Sequence, residues 1–450
     1  MFFWEGVALA SVGLIWGAAY FRRFTPIGAA YIAKTVCTGV FGCGRDAEEV
    51  RLLDASAGGH PVLKSFRVEV DPAAREVSAS WLGLFRRKAV FRPGLGAAIV
   101  LGGRRPPASP DPGPRPSRRD LPRAGPREAL ERALDKAFSE RIPSRPCRTR
   151  AVLVVYEGRV VAERYAPGFG PETPLAGWSM SKSVMSAVVG ILCGRGKLSP
   201  KMVGLLPEWD SPGDPRRSIS LDDLLRMRSG LKFDEGYSNP LGDVERMLFA
   251  SPDAGAFAAS KPLAAGPGTK WYYSSGTTNI VSRIVRGACS SHEEYLLLPG
   301  TALFDRLGMR GAVLETDASG HFVGSSFMYA TAEEWARFGL LYAQDGVWEG
   351  GRILPEGWVS YSTTPTPQSN DRYGAHWWLK LHKELGGESP AAARIPPDAF
   401  FALGHEGQTL SVVPSRKLVA VRLGLCARSD AWDQASFLDE VLTALEGRSK

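Results

Sequence analysis

The chain has 450 residues, 44% hydrophobic and 23% charged, the composition of an ordinary globular protein with room for one large domain and an appendage. Its net charge of +8 is uneven: Lys and Arg outnumber Asp and Glu 25 to 14 in residues 1–150 but trail them 30 to 33 afterwards. The main domain has no basic surplus for a nucleic-acid partner, which excludes that class of function.

At the N-terminus, residues 6–21 (GVALASVGLIWGAAYF) carry no charge. A helix of this length spans about 24 Å, short of the ~30 Å hydrocarbon core, and Met1–Trp4 extend it if Glu5 reaches the interface. Residues 1–23 are therefore expected to be a membrane anchor or signal-like helix, and the alternative is an apolar helix packed on the protein itself. Arg22 and Arg23 follow the apolar run and no Lys or Arg precedes it, so the positive-inside rule alone leaves the body of the protein in the cytoplasm.

Residues 44–102 read as a small strand-rich region, because SFRVEVD and REVSASWLGL alternate apolar and polar residues at period two. Residues 103–127 form an extended Pro/Arg-rich linker: the window 104–127 holds eight prolines and seven arginines against two acids. The catalytic domain is placed at 128–450. REALERALDKAFSE repeats Leu130, Leu134 and Phe138 on one helical face, and AVLVVYEGRVVAERY reads as two strands about a Glu157-Gly158 turn. Residues 197–345 are mainly helical, strand-like runs return at GHEGQTLSVVPSRKLVAVRLGL, and ASFLDEVLTALEG closes the chain as a helix. Strands at both ends of a domain around a helical insertion indicate an α+β sheet carrying a helical subdomain.

Six cysteines form no CxxC pair and no cluster of zinc spacing. The chemistry points instead to GWSMSKSV, residues 177–184. Val184, Val188, Ile191 and Leu192 recur at helical spacing, so Ser179 opens a helix that ends near Gly194 and Gly196. Unpaired backbone N–H groups and the positive end of the dipole face an oxyanion formed there. Lys182 lies one turn on and on the same side, and burial lowers the pKa of such an amine, as a lysine base requires. The bland reading of Ser179 is an N-cap. A second Ser-x-x-Lys, Ser229 to Lys232, straddles Gly230 and shares no helical face. Ser181 has its lysine at the next position, facing elsewhere.

Three further segments join the first. WYYSSGTTNIVSRIV (271–285), GHEGQ (404–408) and SISLDDLLRMRSGL (218–231) follow in an order and spacing that resemble the serine β-lactamase and penicillin-binding-protein superfamily, in particular its class C-like branch of esterases and 6-aminohexanoate-dimer hydrolases. The resemblance spans about residues 128–445. It implies a β-lactamase-like α+β fold, an antiparallel sheet flanked by helices plus a helical subdomain. It also implies an acyl-enzyme on Ser179, Lys182 as base, and Tyr273 as acid or, as phenolate, a share of the base. The backbone N–H groups of Ser179 and Gln408 form the oxyanion hole by the same resemblance, with His405, Gly407 and Ser275 against the substrate. No metal or other cofactor is needed. Two departures matter. Ser275 stands where many relatives have Asn, and His405 replaces the Lys of Lys-Thr-Gly, weakening recognition of a carboxylate.

The expected function is a serine hydrolase cleaving small-molecule amides or esters. The alternatives are a penicillin-recognising D-aminopeptidase or carboxypeptidase-like enzyme, and a non-catalytic cell-envelope binding protein. The resemblance favours a membrane-anchored protein with a periplasmic catalytic domain. Tyr373, Trp377 and Trp378 are expected in the core, with one indole on the acyl pocket.

Overall fold

The computed structural model describes residues 2–447 apart from 57–59, 104, 112, 114–119, 126, 127, 141 and 238, and for residues 2–15 the helical backbone only. The first helix, α1 (Phe2–Phe41), does not stop at Arg22-Arg23 but runs on for a further 18 residues, with Pro26 in its interior. Four antiparallel strands follow as a meander, β1 (Arg67–Asp71), β2 (Glu76–Trp81), β3 (Leu84–Arg92) and β4 (Gly96–Val100). Ala29, Ala33, Val36 and Cys37 of α1 are buried with Val77, Ala79, Ala89 and Ala97 of this sheet, small side chains that let helix and sheet approach closely.

The expected membrane anchor is corrected here. Among the described residues no helix is long and apolar enough to cross a membrane. The physical reason lies in the continuation of α1. Its C-terminal half uses its apolar face on its own sheet, and Arg22, Arg23 and Lys34 all fall inside the helix. The apolar character of residues 6–21 thus belongs to a longer, mixed helix, although the side chains of 6–15 lie outside the described residues. Trp16 is 75% exposed. The membrane association and membrane-anchored periplasmic location expected from this segment fall with it.

The remainder is an α+β, β-lactamase-like fold. Helix α2 (Glu128–Phe138) leads into β5 (Ala151–Tyr156) and β6 (Arg159–Tyr165), joined by Glu157 and Gly158 at φ 49° and 75°, a two-residue hairpin turn matched to strand twist. The helical subdomain includes α3 (Ser181–Gly194) and α4 (Ser275–Gly287). Helix α5 (Ala332–Ala343) precedes the last strands, β7 (Phe400–Gly404), β8 (Gln408–Val413) and β9 (Leu418–Leu423), and α6 (Gln434–Leu445) ends the fold.

The five strands order as β7-β8-β9-β5-β6, all antiparallel, with Ala420 opposite Val154 and Leu410 opposite Val421. Alternation divides the sheet between two layers. Val152, Val154 and Ala420 pack with Leu130, Leu134 and Leu438 of α2 and α6. Leu153, Val155, Leu410 and Val419 pack with Trp335, Phe338 and Leu341 of α5. The two layers are the physical meaning of the near-continuous apolar strands.

A buried ion pair docks the N-terminal unit on this body. Lys34 of α1 pairs with Glu315, both nearly inaccessible, and its ammonium sits 3.8 Å from the Phe327 ring centroid. Glu315 Oε1 accepts from Thr38 Oγ1 at 2.8 Å and from the Ala97 backbone N–H at 2.7 Å. Arg150 of the body makes a two-point contact with Asp54, which also accepts from Arg45. Each charge in these two contacts has an opposite partner, the condition for tolerating it away from water.

Candidate active site

Ser179 lies in a single 3-10 turn, Trp178–Met180, that runs directly into α3. The turn is held tightly. A Cβ at Gly177 would collide with the Trp335 indole, and one at Gly404, the end of β7, would collide with the Gly177 carbonyl. Trp178 sits at φ 48°, a conformation L residues adopt at a cost of about 1–2 kcal/mol and which clusters at functional sites. Its indole donates to Glu406 Oε2 at 3.0 Å, across from the start of the helix.

Helix α3 is buried on all sides from Ser181 to Leu192, not on one face as its periodicity suggested. Its serines bolt it in place: Ser181 Oγ donates to the Trp178 carbonyl, Ser183 Oγ to His376 O at 2.7 Å, and Ser186 Oγ to Ala375 O at 3.1 Å. Ser181 is therefore structural. His376 reaches the same helix, its Nδ1 lying 3.0 Å from the Lys182 carbonyl, so Nδ1 carries the proton and Nε2 accepts from Thr278 Oγ1. Burial drops the His376 pKa to about 3, which keeps the ring neutral.

Lys182 is 1% exposed, and its Nζ has three oxygen partners: Ser179 Oγ at 2.9 Å, Ser275 Oγ at 3.0 Å and the Ser325 carbonyl at 3.0 Å. Burial lowers its pKa to about 8, while the carboxylate of Glu235 pulls it upward. Glu235 was not recognised in the sequence. It accepts from the Ser275 N–H at 2.7 Å and from Ser275 Oγ at 2.5 Å, so Ser275 relays between carboxylate and lysine. Burial raises the Glu235 pKa, and Lys182 and the two Ser275 donors hold it down. Asn279 supports the other side of the lysine, gripping Ser325 through the Ser325 N–H at 3.2 Å and Oγ at 3.1 Å.

The Tyr273 ring centroid is 4.8 Å from Lys182 Nζ, and the Ser179 side chain is among the groups that hold its phenol pKa down. Burial first, and then the Glu235 charge, push this phenol well above its ordinary pKa, so it is protonated at neutral pH rather than a phenolate. Tyr373 and Trp378 back its ring at centroid distances of 5.8 and 5.1 Å. Trp377 is wholly buried beside Tyr342 and Phe400 and belongs to the core. The structure thus brings Ser179, Lys182, Tyr273 and Ser275 together.

The residues of GHEGQ divide. His405 stacks on Tyr237 at 4.8 Å and meets Trp178 edge-on at 5.5 Å, and this surrounding wall lowers its pKa to about 4 by desolvation. Glu406 adopts φ 61°, and burial raises its pKa to about 8. Gly407 faces Arg422 and Cys426 instead, donating nothing to the cleft through a side chain, and its φ of 79° explains the glycine. The Gln408 amide is spent on Gly424, donating to its O at 2.6 Å and accepting from its N at 2.9 Å. The Gln408 main chain opens the strand that pairs with the end of β7, beside the turn that carries Ser179. The rival pair does not assemble: Ser229 is buried against Thr277 and Lys232 is exposed.

Among the described residues, Asp253, Asp317 and His321 form a group of metal-ligating type. Its carboxylates already accept backbone N–H groups from Ala256, Ala254, Ser319 and His321, as loop ties do.

This fold, with a serine and a buried lysine one turn apart beneath a tyrosine, is that of the serine β-lactamase and penicillin-binding-protein superfamily. Residues 134–426 match the family model described as Beta-lactamase, and the chain belongs to that family. A 6-aminohexanoate-dimer hydrolase of Paenarthrobacter ureafaciens is 29% identical over 328 residues, 66% of this chain and 79% of the relative. Among solved structures, a Bacillus anthracis protein provisionally designated a 6-aminohexanoate-dimer hydrolase superposes with a TM-score of 0.58 at 20% identity, covering 75% of this chain and 90% of that one. The octameric penicillin-binding protein homologue from Pyrococcus abyssi gives 0.52 at 15% identity over 72% and 77%. At such identities the structural likeness establishes the fold alone. Fold and homology support a hydrolase of this superfamily.

Proposed function

We propose that the protein hydrolyses amide or ester bonds through an acyl-enzyme on Ser179. The observation that carries this reading is the set of partners around Lys182. A neutral amine has two N–H donors and one lone pair. The Ser325 carbonyl can only accept, and Ser275 Oγ, its proton given to Glu235, also accepts. The lone pair is left for Ser179, 2.9 Å away. Lys182 then takes the Ser179 proton as Oγ bonds to the substrate carbonyl carbon. Tyr273, a neutral phenol, gives its proton to the departing nitrogen or oxygen as the scissile bond breaks, and Lys182 returns a proton to Tyr273. Water, deprotonated by the same groups, releases the acid. Main-chain N–H groups of Ser179 and Gln408 stabilise the oxyanion, each a contribution of about 3 kcal/mol.

The 6-aminohexanoate-dimer hydrolase likeness supports a linear amide or ester as substrate. The carboxypeptidase-like alternative needs a fixed positive charge for a carboxylate, and His405, with its pKa near 4, carries none at neutral pH. A non-catalytic binding protein has no use for a deprotonatable lysine at this position. The test is labelling by a fluorophosphonate and turnover of p-nitrophenyl esters, with intact mass read after incubation. An adduct on Ser179, absent in Ser179→Ala, supports the proposal. Equal labelling and turnover by the alanine variant refutes it.

A further inference from the structure

A cleft of about 230 Å³ lies beside the turn that carries Ser179. Its inner wall is Trp178, the residue before Ser179, with His405 and Tyr237 stacked against each other. Leu248 and Phe249 of the helical subdomain form one side. The opposite side does not come from the catalytic body. Phe24, Ile27 and Tyr31 of α1 and Leu63 of the following turn complete it, and the Tyr31 ring meets Phe249 edge-on at 5.2 Å across the seam. Phe24, Ile27, Tyr31 and Leu63 lie outside 134–426, the part of the chain that matches the family model.

We propose that the N-terminal unit is a specificity element: its α1 wall and the Leu248–Phe249 side together hold an uncharged hydrocarbon or aromatic portion of the substrate while its carbonyl sits at Ser179. The proposal rests on the hydrolase reading above and adds the substrate class. Several observations converge on it. Phe24, Ile27 and Leu63 on one side and Val244, Leu248 and Phe249 on the other supply apolar surface, and Ile27 and Phe24 are 7% and 3% exposed, so they stand as fixed surface and not as loose side chains. The buried contacts of Lys34 with Glu315 and of Arg150 with Asp54 fix that surface relative to the nucleophile. The ionisable acids in the lining are Glu245 and Glu406, and no lysine or arginine is among the described lining residues, which disfavours an anionic tail. Each methylene moved from water into such a cleft contributes up to about 0.8 kcal/mol, so a chain of several carbons is discriminated strongly from acetyl.

The experiment measures kcat/KM for p-nitrophenyl acetate, butyrate and octanoate with the full chain, Ile27→Trp, Ile27→Ala and Ser179→Ala. The wild type is expected to favour octanoate over acetate by at least about tenfold, consistent with the methylene contribution. Ile27→Trp fills the cleft and is expected to lower the octanoate value about tenfold or more, with acetate unchanged within about twofold. Ile27→Ala removes contact without adding bulk, so it keeps the test open should the larger side chain unfold the helix. Its octanoate value is expected to fall about threefold, with acetate unchanged. An octanoate-to-acetate ratio equal to wild type in both folded Ile27 variants, while Ser179→Ala is inactive, overturns the proposal and leaves the hydrolase reading standing. Undiminished turnover of all three esters by Ser179→Ala refutes the hydrolase reading and the proposal with it.

Discussion

Lys182 Nζ lies 3.0 Å from Ser275 Oγ, at the position where the family resemblance implies an asparagine. The serine changes how the lysine is controlled. An asparagine side chain offers the lysine a fixed carbonyl or amide, whereas Ser275 has one proton to give and points it according to the charge on Glu235. With Glu235 ionised, Ser275 donates to it and accepts from Lys182, and the amine lone pair faces Ser179. With Glu235 protonated, its O–H donates to Ser275, Ser275 donates to the lysine, and the lone pair is occupied. On the proposed mechanism the active form is therefore ionised Glu235 with neutral Lys182.

The pH dependence follows from that form. The proposed mechanism needs Lys182 without its extra proton, and burial lowers the lysine pKa to about 8. Below this value kcat/KM for a neutral ester is expected to rise about tenfold per pH unit, with half its plateau reached near pH 8. Replacing Glu235 by Gln removes a charge that raises the lysine pKa, so the rising limb moves to lower pH. The plateau is expected to fall by about tenfold or more as the lone pair loses its orientation. A rising limb that stays in place in Glu235→Gln contradicts the coupling.

Tyr273→Phe retains the ring packed against Tyr373 and Trp378 and deletes only the proton donor. The expected loss in kcat is about 10²–10⁴-fold, with Tm within a few degrees of wild type. Esters with good leaving groups such as p-nitrophenolate should lose least, since they need no proton. Steady-state rates for activated and unactivated esters of one acyl group check this.

Glu315→Ala tests the docking of the N-terminal unit. It leaves the Lys34 ammonium buried without its counter-ion and removes the acceptor for Thr38 and the Ala97 N–H. Destabilisation of about 3–5 kcal/mol is expected, read by urea unfolding. Lys34→Met combined with Glu315→Gln should recover most of it, because no net charge then remains buried.

Gly177→Ala places a methyl group into the Trp335 indole beside the nucleophile. A cost of about 1–3 kcal/mol in stability is expected from overpacking, together with a fall in kcat as the turn carrying Ser179 shifts. Trp335→Phe in the same chain should relieve part of both effects, measured by Tm and ester turnover.

Much of the catalytic body can be read along the chain because its physics is local. The Ser179-to-Lys182 spacing, the Glu157-Gly158 turn and the alternating runs of the sheet all express periodicities within a few residues. Glu235 escapes such reading, because FDEGY has no period and its partner, Ser275, is brought to it by the packing of α4. A serine in the asparagine position was the available hint that a second group must complete the lysine environment. His376 was equally hidden, a lone histidine whose ring is spent on the carbonyl of Lys182. The misreading of residues 6–21 has a different cause. Apolar residues suit lipid or a protein core alike, and only the meander, which comes later in the chain, supplies the surface on which α1 lies from Tyr20 onward.

The pairing of β9 with β5 sets Leu423 opposite Ala151, so the central strands come from distant parts of the chain. On a ribosome, the earlier strand waits exposed while the whole helical subdomain and the nucleophile helix are made, and neither sheet face can close until the later strand emerges. Such long-range closure makes folding slow and leaves an apolar edge open to wrong partners. Cells producing this protein are therefore expected to need chaperone occupancy of the nascent Ala151–Tyr165 hairpin, and truncation before Leu418 should yield aggregates rather than a smaller enzyme.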